Sequence, residues 1–207
     1  YIQILDEKSQ RLRQLTADLV EASKISSGNV KLDMQVIDLV ELVYQTSGEF
    51  NEKFEQKELT IVTKLPKTAV LIRADGRQLY RVIENLYNNV AKYALEKTRV
   101  YVDISYVEEK VVFSIKNVSE HSLARENSNA GDLTERFIRG DISRSTEGSG
   151  LGLSIAKSLT TMQGGTFDLY LDGDLFRVDI TFPRVKAKGN AAGVTEELAE
   201  KSSSGVS

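Results

Sequence analysis

The chain contains no cysteine, no tryptophan, two prolines and a single histidine. Without cysteine there is no disulfide framework and no thiolate metal site, which fits a reducing compartment. One histidine, His121, rules out a multi-histidine metal centre. Neither sign of charge dominates: 27 Lys and Arg stand against 30 Asp and Glu, a formal net charge of −3. No global field therefore draws the molecule to nucleic acid or to an anionic membrane, and any anion site has to be built locally. No apolar run approaches the ~20 residues needed to cross a bilayer, and no signal peptide opens the chain. The first residue is Tyr1 and not methionine, so a piece of a longer protein is expected.

What is present is 207 residues, 41% hydrophobic and 28% charged, enough for one sizeable core with an attached helical element. Leu5, Leu12 and Leu19, with Leu15 and Ala22, occupy the two seam positions of a heptad repeat, and no glycine or proline interrupts residues 1–27. This predicts a long amphipathic helix suited to pairing with partner helices, stopped by Ser26-Ser27-Gly28-Asn29. A strand is expected over Val30–Val36, then a helix opened by a capping box of Asp38 and Glu41. Short strands follow at Leu59–Lys64 and Ala69–Ile72, and a helix over Gly76–Ala94. Arg99–Glu108 and Lys110–Lys116 alternate as a hairpin. Residues 117–150 read as a long loop with a short helix near Leu133–Ile138, a length that marks a functional lid. Leu151–Gln163 is a strong helix closed by Gly164-Gly165, and Thr166–Leu171 with Leu175–Phe182 form a second hairpin. From Arg184 the composition turns to Lys, Gly, Ala, Glu and Ser, so a disordered tail is expected, with a short helix at Val194–Lys201. The order is α+β, with helices layered on one face of a mixed sheet.

Arg81–Ala94, R-V-I-E-N-L-Y-N-N-V-A-K-Y-A, is the most informative segment. At about 100° per residue, Asn85, Asn89 and Lys92 fall within roughly 60° of one another, bordered by Tyr93. Leu79, Ile83, Leu86, Val90 and Ala94 form a separate apolar stripe. These residue types suit a nucleotide and its metal. An asparagine oxygen is a hard neutral ligand for Mg²⁺, a lysine is a point charge for phosphate, and a tyrosine packs by sugar or base.

Glu147–Ser154, E-G-S-G-L-G-L-S, crowds three glycines ahead of a helical pattern. A Walker A loop would end in Gly-Lys, and the chain has no such dipeptide. A dinucleotide fingerprint would follow a buried strand, whereas Asp141–Glu147 is polar. What remains is a turn whose backbone amides, with a helix N-terminus, face an anion at close range.

Together these segments resemble sensor histidine kinases. N-L-Y-N-N-V-A-K-Y looks like the N box, Leu133–Arg139 like the F box, and G-S-G-L-G-L-S-I-A-K like the second glycine box. Residues 1–28, with E-A-S-K-I-S-S-G, look like the second helix of the dimerisation and histidine-phosphotransfer domain. The resemblance implies a Bergerat-type two-layer α/β sandwich over residues 29–183, with a lid at about 118–149 and a tail at 184–207. By position it implies Asn89 on Mg²⁺, Asn85 in support, and Lys92 and Tyr93 on phosphate and sugar. Ser149, Gly150, Leu151, Gly152 and Leu153 would cradle the phosphates. Phe137 would anchor the lid, with Arg139 or Arg144 reaching the γ-phosphate. The implied substrate is ATP. The implied partners are a second copy, through the dimerisation helices, and a response regulator receiver domain. The implied place is the cytoplasmic side of a membrane-anchored parent, with no span in this chain.

Three departures matter. Related ATP-hydrolysing proteins of the fold carry glutamate where this chain has Asn85, and an asparagine cannot take a proton from water. Glu84 is no replacement, since it points about 140° from Asn89. The site is thus expected to hold ATP for an external nucleophile. The family's first glycine box, D-x-G-x-G, aligns with Asn117-Val118-Ser119, which puts a neutral amide where an aspartate accepts from the adenine amino group; Ser119 in place of glycine stiffens the first lid hinge. Finally, the family's acceptor histidine sits on a helix upstream of the one that opens this chain. His121 is outside any such pattern, so no autophosphorylation is expected of the chain alone.

Overall fold

The computed structural model describes residues 2–28, 30–120, 123 and 150–185. The order is α1 (Ile2–Ser26), β1 (Gln35–Asp38), α2 (Leu39–Gln56), β2 (Thr60–Lys64), β3 (Leu71–Ala74), α3 (Gly76–Tyr93), β4 (Arg99–Val107), β5 (Lys110–Val118), α4 (Gly152–Met162), β6 (Thr166–Asp172) and β7 (Leu175–Pro183). Five strands form one mixed sheet in the order β2-β4-β5-β7-β6, in which β2 and β4 run parallel and the other pairs antiparallel. Both expected hairpins, β4–β5 and β6–β7, lie in it.

Strand alternation decides where the core sits. Val100, Val102 and Ile104 of β4, Val111, Phe113 and Ile115 of β5, and Phe176, Val178, Ile180 and Phe182 of β7 are all buried. The opposite face carries charge, with Lys116 paired to Asp103 at 3.5 Å and Arg177 to Asp179. The buried face packs against α2, α3 and α4 through Phe50, Phe54, Ile83, Leu86, Val90, Ile155 and Leu159. This is the two-layer α+β sandwich expected.

The first strand differs from expectation. β1 covers Gln35–Asp38, not Val30–Val36, and pairs antiparallel with β3, which itself runs over Leu71–Ala74 and not Ala69–Ile72. The physical reason lies in two carboxylates. Asp33 N–H is taken by the Asp75 side chain at 2.9 Å, so residue 33 offers nothing to a ladder. Asp38 Oδ1 accepts from both Val40 N–H and Val70 N–H at 3.0 Å, which pins the strand's end to the start of α2. That sharing replaces the expected exchange between Asp38 and Glu41.

Two residues expected in the tail, Arg184 and Val185, belong to the fold. Arg184 N–H donates to Glu109 C=O and Val185 N–H to Leu71 C=O, each at 2.9 Å, and the Arg184 guanidinium lies 4.4 Å from the Tyr106 ring centroid. The sheet edge and β3 therefore claim both residues. The segments expected as helices near Leu133–Ile138 and Val194–Lys201 lie outside the described residues.

Helix α1 splits its seam. Leu5, Leu12 and Leu19 are more than 60% exposed, while Ala22 and Ile25 pack against the core. Its inner side is also tied by Arg81 of α3, whose guanidinium reaches Glu21 at 3.1 Å and Asp18 at 3.5 Å.

Candidate nucleotide site

The site is built around α3, and its start is held firmly. Asp75 caps the helix: Oδ1 accepts from Gln78 N–H at 3.0 Å and Oδ2 from Asp33 N–H at 2.9 Å. Its own N–H donates to Gln163 Oε1 at 2.9 Å, so the end of α4 locks the start of α3. Burial alone would raise the Asp75 pKa, but the backbone N–H groups of Asp33, Gln78 and Arg77 outweigh it and hold the carboxyl below its ordinary value.

One flank of α3 is sunk in the core. Leu79, Val82, Ile83, Leu86, Tyr87 and Val90 are at most 1% exposed. The Tyr87 ring stacks on Phe54, and its hydroxyl meets Ser47 Oγ at 2.7 Å. Burial pushes that phenol up to about 12, partly offset by the Ser47 bond. With this flank fixed, Asn85, Asn89, Lys92 and Tyr93 emerge half-buried on another, as the periodicity predicts.

Helices α3 and α4 pack side by side. Where α4 begins, Gly152, its first residue, faces Asn85. A Cβ on Gly152 would sit 3.2 Å from Asn85 Oδ1, tighter than an ordinary contact. The Asn85 Nδ2 is engaged with Arg81 C=O at 3.0 Å, which turns the oxygen toward the glycine. Just before it, Gly150 has φ of +70°, a left-handed conformation that favours glycine. Leu151, the N-cap residue of α4, makes no side-chain cap bond, and no acidic residue lies in the helix's first turn. Leu153 is buried, so this turn offers backbone N–H groups and not side chains.

The far end of α3 meets the end of β5. Leu95 N–H donates to Val118 C=O at 2.9 Å, Glu120 N–H to Tyr93 C=O at 2.8 Å, and Ala94 bridges Ser119. Asn117 stands here. It continues the buried row of Val111, Phe113 and Ile115, yet it is polar and 3% exposed. Its Nδ2 donates to Val118 C=O at 2.9 Å, while its Oδ1 is buried without a partner among the described residues. A buried acceptor left unmet costs about 1–3 kcal/mol, so this oxygen is set for a donor from outside the chain. From Asn85 to Tyr93 the helix axis advances about 12 Å at 1.5 Å per residue. Polar groups thus span a length comparable to a nucleoside triphosphate.

The structure brings together Asn85 with Gly152, joins the end of α3 at Tyr93–Leu95 to Val118–Glu120 just past Asn117, and sets Asn89 and Lys92 between on one helix. Phe137, Arg139, Arg144, Ser149 and His121 lie outside the described residues. Ser119 is not in a positive-φ conformation and its N–H donates to Asp174 C=O at 2.7 Å, so that position does not call for glycine. Glu84 is held by Arg81 at 2.7 Å, turned toward α1 and away from Asn89. Sequence reasoning missed Asp75, although an aspartate directly before the first helical residue is a readable cap signal. It also missed Lys57 and Arg81, whose cross-helix partners leave no local trace.

Among the described residues no group of three or more His, Cys, Asp or Glu could hold a metal, and no helix is long and apolar enough to cross a membrane. The family model for the histidine kinase-, DNA gyrase B-, and HSP90-like ATPases matches residues 74–194, which takes in α3, the glycine turn and α4. The alginate biosynthesis sensor protein KinB of Pseudomonas aeruginosa is 28% identical over 164 residues, 79% of this chain. The chain spans only 27% of that relative's length. Full-length ShkA, solved in complex with AMPPNP, matches 91% of this chain and 39% of its own at a TM-score of 0.75 and 21% identity. Histidine kinase ThkA, solved in complex with response regulator protein TrrA, matches 89% of this chain and 51% of its own at 0.68 and 20%. The chain belongs to the histidine kinase-, DNA gyrase B- and HSP90-like ATPase family, as a sensor histidine kinase catalytic domain.

Proposed function

We propose that this chain binds Mg·ATP along α3, and that in its longer parent it presents the γ-phosphoryl to a histidine, from which the group passes to a response regulator receiver domain. The observation that carries the reading is the buried, unpartnered Oδ1 of Asn117. With Nδ2 committed to Val118, the amide is oriented as an acceptor and suits the adenine amino group. A bound AMPPNP in ShkA supports the same ligand class.

The remaining assignments follow the geometry. Tyr93, whose C=O accepts from Glu120 N–H just past Asn117, serves the sugar. Lys92 serves phosphate: its ammonium lies 4.9 Å from the Tyr93 ring centroid and meets no carboxylate among the described residues. The turn at Gly150–Leu153 receives the outer phosphates on its N–H groups, with Ser149, Phe137, Arg139 and Arg144 contributing from the lid. Asn89 fits Mg²⁺, since its side chain is half-buried and makes no hydrogen bond among the described residues. Held there by the Asn89 oxygen, the ion would supply charge neutralisation on the phosphates. Asn85 cannot act as a base, so the site holds ATP for a nucleophile and does not spend it on water.

Residues 1–28 serve as the second helix of a dimerisation and phosphotransfer domain. The exposed Leu5, Leu12 and Leu19 support pairing in a homodimer. The ThkA–TrrA complex supports a receiver domain as the downstream partner. A cytoplasmic setting suits a chain with no cysteine and an ATP substrate.

The test supplies a separate dimerisation domain carrying an acceptor histidine, with labelled ATP and Mg²⁺, and measures acid-labile phosphate. Transfer is expected, reduced by at least about 100-fold in Asn89→Ala, while Asn117→Ala weakens ATP binding about fivefold. Binding without transfer would favour a regulatory ATP-binding module of the same fold, the reading that Asn117 and Ser119 leave open.

A further inference from the structure

Lys57 is the residue at which α2 ends, and it carries more than that turn. Its backbone N–H folds back to Phe54 and Glu55. Its side chain crosses to the other helix, where Nζ donates to Lys92 C=O at 2.9 Å and Ala94 C=O at 3.3 Å. The same ammonium lies 3.9 Å from the Glu120 carboxylate. One turn earlier on α2, Lys53 Nζ donates to Asn88 Oδ1 at 3.1 Å. Two lysines of α2 thus grip the last turns of α3.

That turn is where a polyphosphate has its difficulty. The final carbonyls of a helix gather about half a negative charge, and they do so here beside Lys92, the residue meant to receive an anion. Left bare, they would repel the phosphates and compete for the Lys92 ammonium. Lys57 satisfies two of them and offsets their charge. It also holds the root of the segment after β5, since Glu120 gives its N–H to Tyr93 C=O.

We propose that Lys57 is a positioning residue for the triphosphate: it touches no nucleotide, and acts by neutralising the α3 C-terminus and freeing Lys92 for phosphate. This rests on the ATP-site reading above. It predicts an effect that grows with the number of phosphates, because the adenosine end is held separately at Asn117.

The experiment is calorimetric titration of the whole chain with ATP, ADP and AMP in Mg²⁺, with a thermal melt of each variant. Lys57→Met is expected to weaken ATP about tenfold and AMP less than about twofold. Lys57→Arg should recover most of the loss. Lys57→Gln keeps an N–H donor on a side chain one bond shorter and removes the charge, so it should still weaken ATP about threefold with AMP unchanged. Equal losses for all three nucleotides, or a folded Lys57→Gln that binds ATP like the unmodified chain, would overturn the positioning role alone. No binding of any nucleotide by the unmodified chain would overturn the ATP site and this proposal with it.

Discussion

The first turns of α3 and α4 are built to opposite rules. Both helices open with glycine, Gly76 and Gly152, and they lie packed against each other. At α3 the free N–H groups are answered from within: Asp75 caps the turn and reaches Asp33, while Gln163 holds the Asp75 backbone. At α4 the N-cap residue, Leu151, makes no side-chain cap bond, and the neutral Asn85 amide faces Gly152. A negative charge placed at a helix N-terminus stabilises it by about 0.3–1 kcal/mol, and with no acidic residue in the first turn of α4 a bound anion can supply that charge. The contrast separates the end of the site that holds the fold from the end that receives phosphate.

The largest effect that tests this contrast is on stability. Asp75→Ala removes a cap and leaves the part-buried Asp33 and Gln78 N–H groups without their carboxylate, at a cost of about 1–2 kcal/mol. Denaturant unfolding should report that loss, while ATP affinity of the remaining folded protein stays within about twofold. The same residue sets an acid limb. Its folded pKa lies below the ordinary aspartate value of 3.8, so its contribution is complete above that value and disappears as pH falls through the folded one. Unfolding curves of Asp75→Ala should lack that part of the acid dependence; an unchanged acid limb would refute the assignment.

At the ligand end the balance reverses. In Gly152→Ala the new methyl group would crowd Asn85 Oδ1 at 3.2 Å. ATP binding is expected to fall about tenfold, near 1.4 kcal/mol, with the melting temperature shifted by no more than a few degrees. Titration and melting measured on one preparation would separate the two. The smallest effect is the matching substitution at α3. A Cβ on Gly76 meets Ile37 Cγ2 at 3.8 Å, an ordinary contact, and the backbone there is not left-handed. Gly76→Ala should therefore stabilise by about 0.5–1 kcal/mol through helix propensity and leave ATP binding alone. If both alanines behaved alike, the two turns would not differ in kind.

The helices, both hairpins and the polar flank of α3 were legible because each depends on periodicity within a few residues. Val111, Phe113 and Ile115 alternate, and Asn85, Asn89 and Lys92 recur at helical spacing, whatever they later pack against. β1 was misread because Val30–Val36 does look like a strand in isolation. Asp33 is drawn away by Asp75, forty-two residues on, and no local pattern records that. Arg184 and Val185 were placed in a tail by composition, yet hydrogen bonds to Glu109 and Leu71 hold them to the fold.

By itself the sequence determined which residue types lie on which face of each element, and so the family resemblance and the set of polar groups offered to a nucleotide. Only the tertiary structure decided which of those groups are left unsatisfied. Asn117 Oδ1 has no partner among the described residues because its amide nitrogen is spent on Val118 inside a buried row, and the Lys92 and Ala94 carbonyls at the end of α3 are met by Lys57 from the end of α2. Hydrogen-bond satisfaction is a property of the packed molecule, where water is excluded and each donor is counted once.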